Sequence, residues 1–318
     1  MKEIFAEKSS LPLAHLLDSY RTISIIGIAK NTGKTTALNH LIEAFHREKV
    51  RLALTSIGRD GERVDIVTKT AKPQIFVFKN TIIATAEKLL ALCDITKEIM
   101  QVTDINTPMG RVIVVRALSD GFVQLGGPSI TTQIASLLSN IEADKIIVDG
   151  AINRKTLASP LVAEATVLCT GASFDRNMDI VIEETRHVVR MFMLPRFEDL
   201  SILEQLSFGA DEKVAKQENG IYVRGAVSDS FILDLIMSNT NLDGVNIIAE
   251  DPSKIFMKPL TYEKLRLKKA TLFVQNSVNL VAITVNPFSP YHIGFHPGEF
   301  LEKMQEAVPI PVYDLKAM

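Results

Sequence analysis

Cysteine is scarce in this chain: Cys93 and Cys169 are the only two in 318 residues. They stand far apart, in the apolar settings LLALCDIT and ATVLCTGA, with no C-x-x-C pair and no cysteine–histidine cluster. A disulfide framework and a structural zinc site are therefore not expected, and both thiols read as buried groups in a reducing compartment. Also missing is any apolar run near the ~18 residues that a membrane-spanning helix requires. The opening segment, MKEIFAEKSSLPLAHLLDSY, has neither the apolar stretch nor the cleavage site of a signal peptide, so a cytoplasmic location is the expectation. Nor does charge of one sign dominate: 35 Lys and Arg face 37 Asp and Glu, both signs being spread along the chain for a formal charge of −2. Without a basic face to neutralise phosphodiesters or an acidic leaflet, neither nucleic acid nor membrane is expected as a partner.

What is present is ordinary globular composition, 47% hydrophobic and 23% charged, enough for one large domain or two smaller ones. Residues 11–20 read as a short amphipathic helix. TISIIGI (22–28) is an apolar run ending at a loop of Gly, Asn, Thr and Gly, the pattern of a buried parallel strand. Ala37, Leu38, Leu41, Ile42 and Phe45 then fall at helical spacing, and RLALTSI (51–57) closes a right-handed β-α-β unit. From about 74 to 125, the β-rich segments QIFVFKN, RVIVVRAL and FVQLGG surround a helical stretch, TAEKLLALCDITKEIM, and read as an insertion or as extra strands lying against the first unit.

A helix at 129–141 leads into KIIVDGA (145–151); ATVLCTGA (165–172) is a further central strand, and a helix at 175–193 ends the unit. LSFGADEKVAKQENG (206–220) is the linker candidate, because strand and helix alternate anew beyond it. The expectation is an α/β protein with a mostly parallel, P-loop NTPase-type sheet flanked by helices. Residues 1–205 would form the nucleotide domain, with its β-rich insertion, and residues 218–318 a smaller α/β domain. No internal repeat or low-complexity tract is found.

The chemistry concentrates in IIGIAKNTGKTTALNHL. A phosphate-binding loop needs main-chain N–H groups converging at a helix start and glycine where a side chain would block the approach. It also needs a lysine for the β/γ oxygens and a hydroxyl for Mg²⁺. Gly33, Lys34 and Thr35 stand in register for the last three. One departure is clear: the usual pattern places glycine six residues before the lysine, where this chain has Ile28, its glycine lying one place earlier at Gly27. The strand-loop-helix context is intact, and the bland alternative is a glycine turn before a helix that happens to carry Gly-Lys-Thr-Thr. The expected nucleotide contacts are Gly27, Ala29, Lys30, Asn31, Thr32, Gly33, Lys34, Thr35 and Thr36.

Asp149 closes the apolar strand KIIVD, where a carboxylate is costly unless it meets a cation or donors. Thr35 and Asp149 are the expected Mg²⁺ ligands, the alternative for Asp149 being a cap on the following turn. SIGRDGERVD offers Arg59, Asp60, Glu62 and Asp65 at a strand's carboxyl end, the side that faces ligands in parallel sheets. Asp60 is the first choice and, with Lys34, the catalytic candidate; a solvated Asp-Gly turn is the alternative.

Gly126-Gly127-Pro128-Ser129-Ile130-Thr131-Thr132 joins a strand to a helix, with Ser129 read first as an N-cap and second as a ligand contact. Asn153, Arg154 and Lys155 either bring cations near phosphate or form a solvated loop. His292 and His296 are four apart, but Pro290, Gly294 and Pro297 forbid the helix that would aim both at one metal. No Asn-Lys-x-Asp guanine reader occurs, so ATP is preferred and GTP stays an option; no Asp-x-His-x-x-Gly cobalamin signature occurs either.

AKNTGKTT resembles the loop of the molybdopterin-guanine-dinucleotide biosynthesis adaptor group (MobB) and of dethiobiotin synthetase, over residues 22–57. A longer likeness, spanning roughly residues 20–195, rests on YRTISIIGIAKNTGKTTALNHL, LTSIGRDGE, TPMGRVIVVRALSDGFVQLGGP, KIIVDGAINRKTLASP and VLCTGA. These spaced blocks resemble the KamB subunit family associated with lysine 5,6-aminomutase reactivase. That resemblance implies a MutS-like ATPase subunit as partner. It also implies a client, an adenosylcobalamin- and pyridoxal-phosphate-dependent aminomutase whose damaged cofactor is exchanged. The leading expectation is accordingly a nucleotide-dependent switch or NTP hydrolase acting on a protein client, a homodimer being compatible. The rivals are a small-molecule kinase or ATP-dependent ligase of the dethiobiotin synthetase type, and a regulatory module that binds nucleotide without hydrolysing it.

Overall fold

The computed structural model describes residues 12–58, 74–150, 162–199, 214–217, 220–238 and 241–315. The centre is β1 (Thr22–Gly27), flanked by β8 (Lys145–Asp149) and β9 (Ala165–Gly171), both parallel to it. Beyond β8 lie β2 (Leu52–Ser56) and β4 (Ile82–Ala86), also parallel, then the antiparallel pair β6 (Gly110–Ala117) and β5 (Lys97–Thr107). Beyond β9 lie β16 (Leu280–Asn286) and β17 (Val312–Tyr313), giving the nine-strand order β17-β16-β9-β1-β8-β2-β4-β6-β5. The protein is thus α/β, with a large, mostly parallel sheet flanked by helices.

Strand periodicity decides which helix meets which face. Successive side chains of a strand point to opposite faces, and in β1 the residues Ile23 and Ile25 join one core while Ile26 joins the other. The first core is shared with α1 (Pro12–Leu16) and α2 (Lys34–Arg47) through Leu13, Leu38, Leu41 and Phe45. The opposite core takes Ile134 and Leu137 of α4 (Thr131–Ser139), Val181 and Phe192 of α5 (Met178–Phe192), and Phe300 and Met304 of α8 (Pro297–Ala307). With both faces covered, the central strands are buried along their whole length, as their near-continuous apolar runs require. At two places inside, polar groups are paired: Ser24 and Thr166 share a 2.8 Å hydrogen bond, and the Lys145 ammonium donates to the carbonyls of Leu17, Asp18 and Tyr20.

A second sheet, β10 (Val214–Gln217), β11 (Gly220–Val223), β13 (Asn246–Ala249) and β15 (Thr271–Val274), packs with α6 (Asp229–Met237) and α7 (Pro259–Leu267). Met191 and Leu194, at and just beyond the end of α5, enter its core, and Arg190 pairs with Glu263 at 2.9 Å. Two short ribbons complete the strands: β3 (Ile75–Val77) with β7 (Gly121–Val123), and β12 (Val227–Ser228) with β14 (Ile255–Phe256). No helix among the described residues is long and apolar enough to cross a membrane.

Three expectations need correction. The stretch read as helical after Thr85 is helical only in α3 (Glu87–Leu90); from Lys97 it is the long edge strand β5, whose hairpin with β6 turns at Gly110, φ 98°. Of the two readings of 74–125, the insertion gives way to the extra strands, since β4 is an integral parallel strand beside β2. Residues 218–318 do not form one separate unit: β16 pairs with β9 and β17 with β16, so the chain leaves the small sheet after β15 and returns to the large one. The physical reason is burial, because the apolar run LVAITVN needs cover on both faces. Of the linker candidate, Val214–Gln217 is β10; residues 206–213 and 218–219 lie outside the described residues.

His40 of α2 has its Nε2 buried with no hydrogen-bond partner. Burial holds this imidazole below its ordinary value, Glu43 pulling it back up and Arg47 pressing it down. The unfolded chain therefore takes up a proton near pH 6.5 that the folded chain resists, so stability falls as pH drops through that value and levels off below the folded pKa. Urea unfolding at about pH 7.5 and about pH 5.5 is expected to show a smaller loss of midpoint for His40→Leu than for the native chain. Equal losses would contradict this assignment.

Candidate functional site

β1 ends at Gly27 and α2 begins at Lys34, so six residues carry the chain from the sheet's carboxyl edge into the helix. Two of them, Asn31 (φ 62°) and Gly33 (φ 93°), are left-handed, which makes the chain double back. Gly27 is needed for space: a Cβ there would lie 2.6 Å from Thr32 Oγ1 and 2.9 Å from Lys34 Cγ. The glycine one place early is thus the one against which Thr32 and the lysine stem pack.

The loop is pinned from outside. Ile28 N–H donates to Cys169 O at 3.0 Å, Thr32 Oγ1 to Ala29 O at 3.0 Å, and Ser173 Oγ to Lys30 O at 2.9 Å. Asn286, at the end of β16, donates from Nδ2 to Asn31 O at 3.2 Å, and Asn31 Nδ2 donates to the Tyr291 hydroxyl at 2.8 Å. By contrast, the main-chain N–H groups of residues 31–36 donate to no acceptor among the described residues; the first amide used is Ala37, bonded to Gly33 O at 2.9 Å. Six consecutive donors without a partner among the described residues thus stand at the start of a 14-residue helix, where the helix dipole is positive.

Lys34 lies in the first turn of α2, and its Nζ donates to Asp149 Oδ1 at 3.4 Å and to Gly150 O. Both side chains are about three-quarters buried, with 24% and 25% exposure, so cation and carboxylate meet at the sheet edge beside the free amides. Register explains the meeting: Asp149 stands between Ile25 of β1 and Ser56 of β2. Thr35 and Thr36, the next residues of the same turn, are half-buried. Thr36 lines a crevice of about 10 Å³ with Thr32, Gly33, Thr284 and Asn286, which shows how closely the loop packs on β16.

The Gly126–Pro128 segment closes over the ends of β2 and β4: Ala86 N–H donates to Gly126 O, Gly58 N–H to Pro128 O, and a Cβ on Gly127 would sit 2.2 Å from Ser56 O. Ser129 is not the N-cap of α4; that position is Ile130, without a side-chain cap. Arg59, Asp60, Glu62 and Asp65, and likewise Asn153, Arg154 and Lys155, lie outside the described residues. His296 caps α8 by accepting from Glu299 N–H at 3.3 Å, while His292 Nδ1 meets Ile293 O at 2.8 Å.

Burial raises both thiols, Cys169 to about 12, so each is a core group and not a nucleophile. Sequence reasoning missed Ser173, Asn286 and Tyr291, the clamps of the loop. The one available signal was the Asn that closes LVAITVN, an amide side chain at the end of a buried strand.

The comparisons add no relative: no family model, curated protein or solved structure matches the chain.

Gly33 carries φ 93°, and a Cβ there would stand 3.1 Å from Asn286 Cβ. Gly33→Ala is expected to cost about 1–2 kcal/mol in urea unfolding, from left-handed strain plus a displaced Asn286. A cost below about 0.3 kcal/mol would show that the loop does not hold this geometry.

Proposed function

We propose that the chain is a P-loop nucleoside triphosphate-binding protein that binds ATP with Mg²⁺ and works as a nucleotide-dependent partner of a protein client. The observation that carries this reading is the row of six unused amides at residues 31–36 with the Lys34 ammonium beside it. The fit to a polyphosphate is steric as well as electrostatic. A Cβ would meet Thr32 and Lys34 at Gly27 and Asn286 at Gly33, and the unused N–H groups are the donors that phosphate oxygens need.

Bound Mg-ATP supplies the phosphoanhydride and its charge; the chain supplies position and counter-charge. The amides of residues 31–36 cradle phosphate oxygens. Lys34 exchanges part of its contact with Asp149 and Gly150 O for β/γ-phosphate oxygens, neutralising charge that develops on transfer. Thr35, through its hydroxyl, and Asp149, through its carboxylate, would hold Mg²⁺, Asp149 being already at the end of β8 within reach of Lys34. Asp60 keeps the catalytic role proposed from its place after β2. The client reading, reactivation of an adenosylcobalamin-dependent aminomutase with a MutS-like partner subunit, is supported by the resemblance of the sequence blocks.

Calorimetry of the full chain with Mg-ATP and Mg-GTP tests the binding. Saturable heat is expected with Mg-ATP, with at least roughly 100-fold weaker affinity for Lys34→Ala, the loss of a charge-assisted contact in a half-buried site. Absence of heat at millimolar nucleotide would overturn the proposal. The client step is tested separately: an inactivated aminomutase should regain activity only with the native chain, its partner subunit and Mg-ATP, and recovery with Lys34→Ala would remove the nucleotide's role.

A further inference from the structure

Far from the glycine loop, at the other end of α2, the surface opens into a cleft of about 260 Å³. The 14 residues of α2 put it about 21 Å from the loop along the helix, at 1.5 Å per residue. Its floor is the amino-terminal edge of the sheet, at Leu52, Asn80 and Thr81. Among the described residues, every ionisable group lining it is basic: His46 and Lys49 from the end of α2, Arg51 before β2, and Lys79 before β4. In a chain with 37 acidic and 35 basic residues, a cleft without a lining carboxylate is a local reversal of the overall charge.

Helix energetics account for part of this arrangement and not the rest. Cations are favoured at a helix C-terminus, which suits His46 and Lys49. Lys79 and Thr81 belong to another segment. Arg51 is answered from outside the cleft by Asp144, at 2.6 Å, and Asp120 accepts the backbone N–H of Lys79, not its ammonium. The ammonium groups of Lys49 and Lys79 have no carboxylate within ion-pair distance among the described residues. His46 is held in place by stacking on Phe78, ring centroids 3.8 Å apart. Lys49 (φ 58°) and Asn80 (φ 74°) both adopt the left-handed conformation in which glycine is the unstrained choice.

One further lining group is neutral. Thr81 is only 6% exposed and lines the cleft, yet its hydroxyl has no hydrogen-bond partner among the described residues. Its oxygen is not among the buried atoms sealed from solvent, so the hydroxyl opens into the cleft, where a ligand oxygen can pair with it.

We propose that this cleft is a second binding site, for the phosphate group of a small phosphorylated metabolite, held by Lys49, Lys79 and the Thr81 hydroxyl. The volume suits such a ligand, falling just below the roughly 300–1,000 Å³ of drug-sized pockets. The site lies at the amino ends of the parallel strands and is independent of the nucleotide reading.

The test is a titration of the ¹⁵N-labelled full chain with glucose 6-phosphate, and with glucose as the uncharged control. Saturable shifts are expected at the amides of residues 46–52 and 79–81, with a dissociation constant below about 1 mM, and none with glucose. Lys49→Gln with Lys79→Gln should weaken binding at least about tenfold, and the near-isosteric Thr81→Val several-fold, while Lys34→Ala leaves it unchanged. No shift at about 10 mM ligand, equal shifts with glucose, or an unaltered titration in the lysine double variant would each overturn the proposal. Binding only to anionic vesicles or DNA would overturn it too.

Discussion

Six amide groups without an acceptor among the described residues set the terms for everything around them. Backbone donors left without partners are costly wherever water is excluded, and a helix start concentrates them under a positive dipole. Holding residues 31–36 in that state requires a rigid surround. β1 supplies it from below, fixed on both sides by β8 and β9 in the middle of the sheet. The clamps supply it from the flank: the Cys169 carbonyl, Ser173, Asn286 and Tyr291 bond the loop at Ile28, Lys30 and Asn31 without using the amides of residues 31–36.

The same demand explains why the chain returns to the large sheet after visiting the small one. β16 completes the edge beside β9, and its last residue, Asn286, reaches both the Asn31 carbonyl and the space over Gly33. A segment that reads as part of a distal domain is thereby a wall of the site. The small sheet is fastened where α5 ends, through Met191, Leu194 and the Arg190–Glu263 pair, so its position is coupled to a helix that covers the large sheet. The charge layout is equally divided: Lys34 meets Asp149 at the carboxyl edge, while the opposite edge gathers basic groups without a carboxylate in the cleft.

Local signals were legible and long-range ones were not. TISIIG, the loop and the periodic Ala37-Leu38-Leu41-Ile42-Phe45 face specify strand, turn and helix within one stretch of chain, and β1, α2 and β2 stand where that pattern puts them. Asp149 was legible because a carboxylate ending a buried strand needs a counter-group, and Lys34 is there. The segment after Thr85 was misread because Leu89, Leu90 and Cys93 fall at helical spacing, whereas Ile99, Val102 and Ile105 belong to a strand whose register is set only by β6. The pairing of Leu280 with Thr166 has no local signature at all, so Asn286 and Tyr291 could not be assigned to the loop in advance. Ser129 failed as a cap because the helix starts one residue later than its side chain could serve.

Amide hydrogen exchange read residue by residue across 31–36, without and with saturating Mg-ATP, reaches the central claim most directly. The account predicts fast exchange at these positions in the free chain, since no acceptor among the described residues protects them, and marked slowing in the presence of nucleotide, while the interior amides of α5 stay unchanged. Amides at 31–36 that are already protected in the free chain, or that exchange at the same rate with nucleotide present, would contradict it.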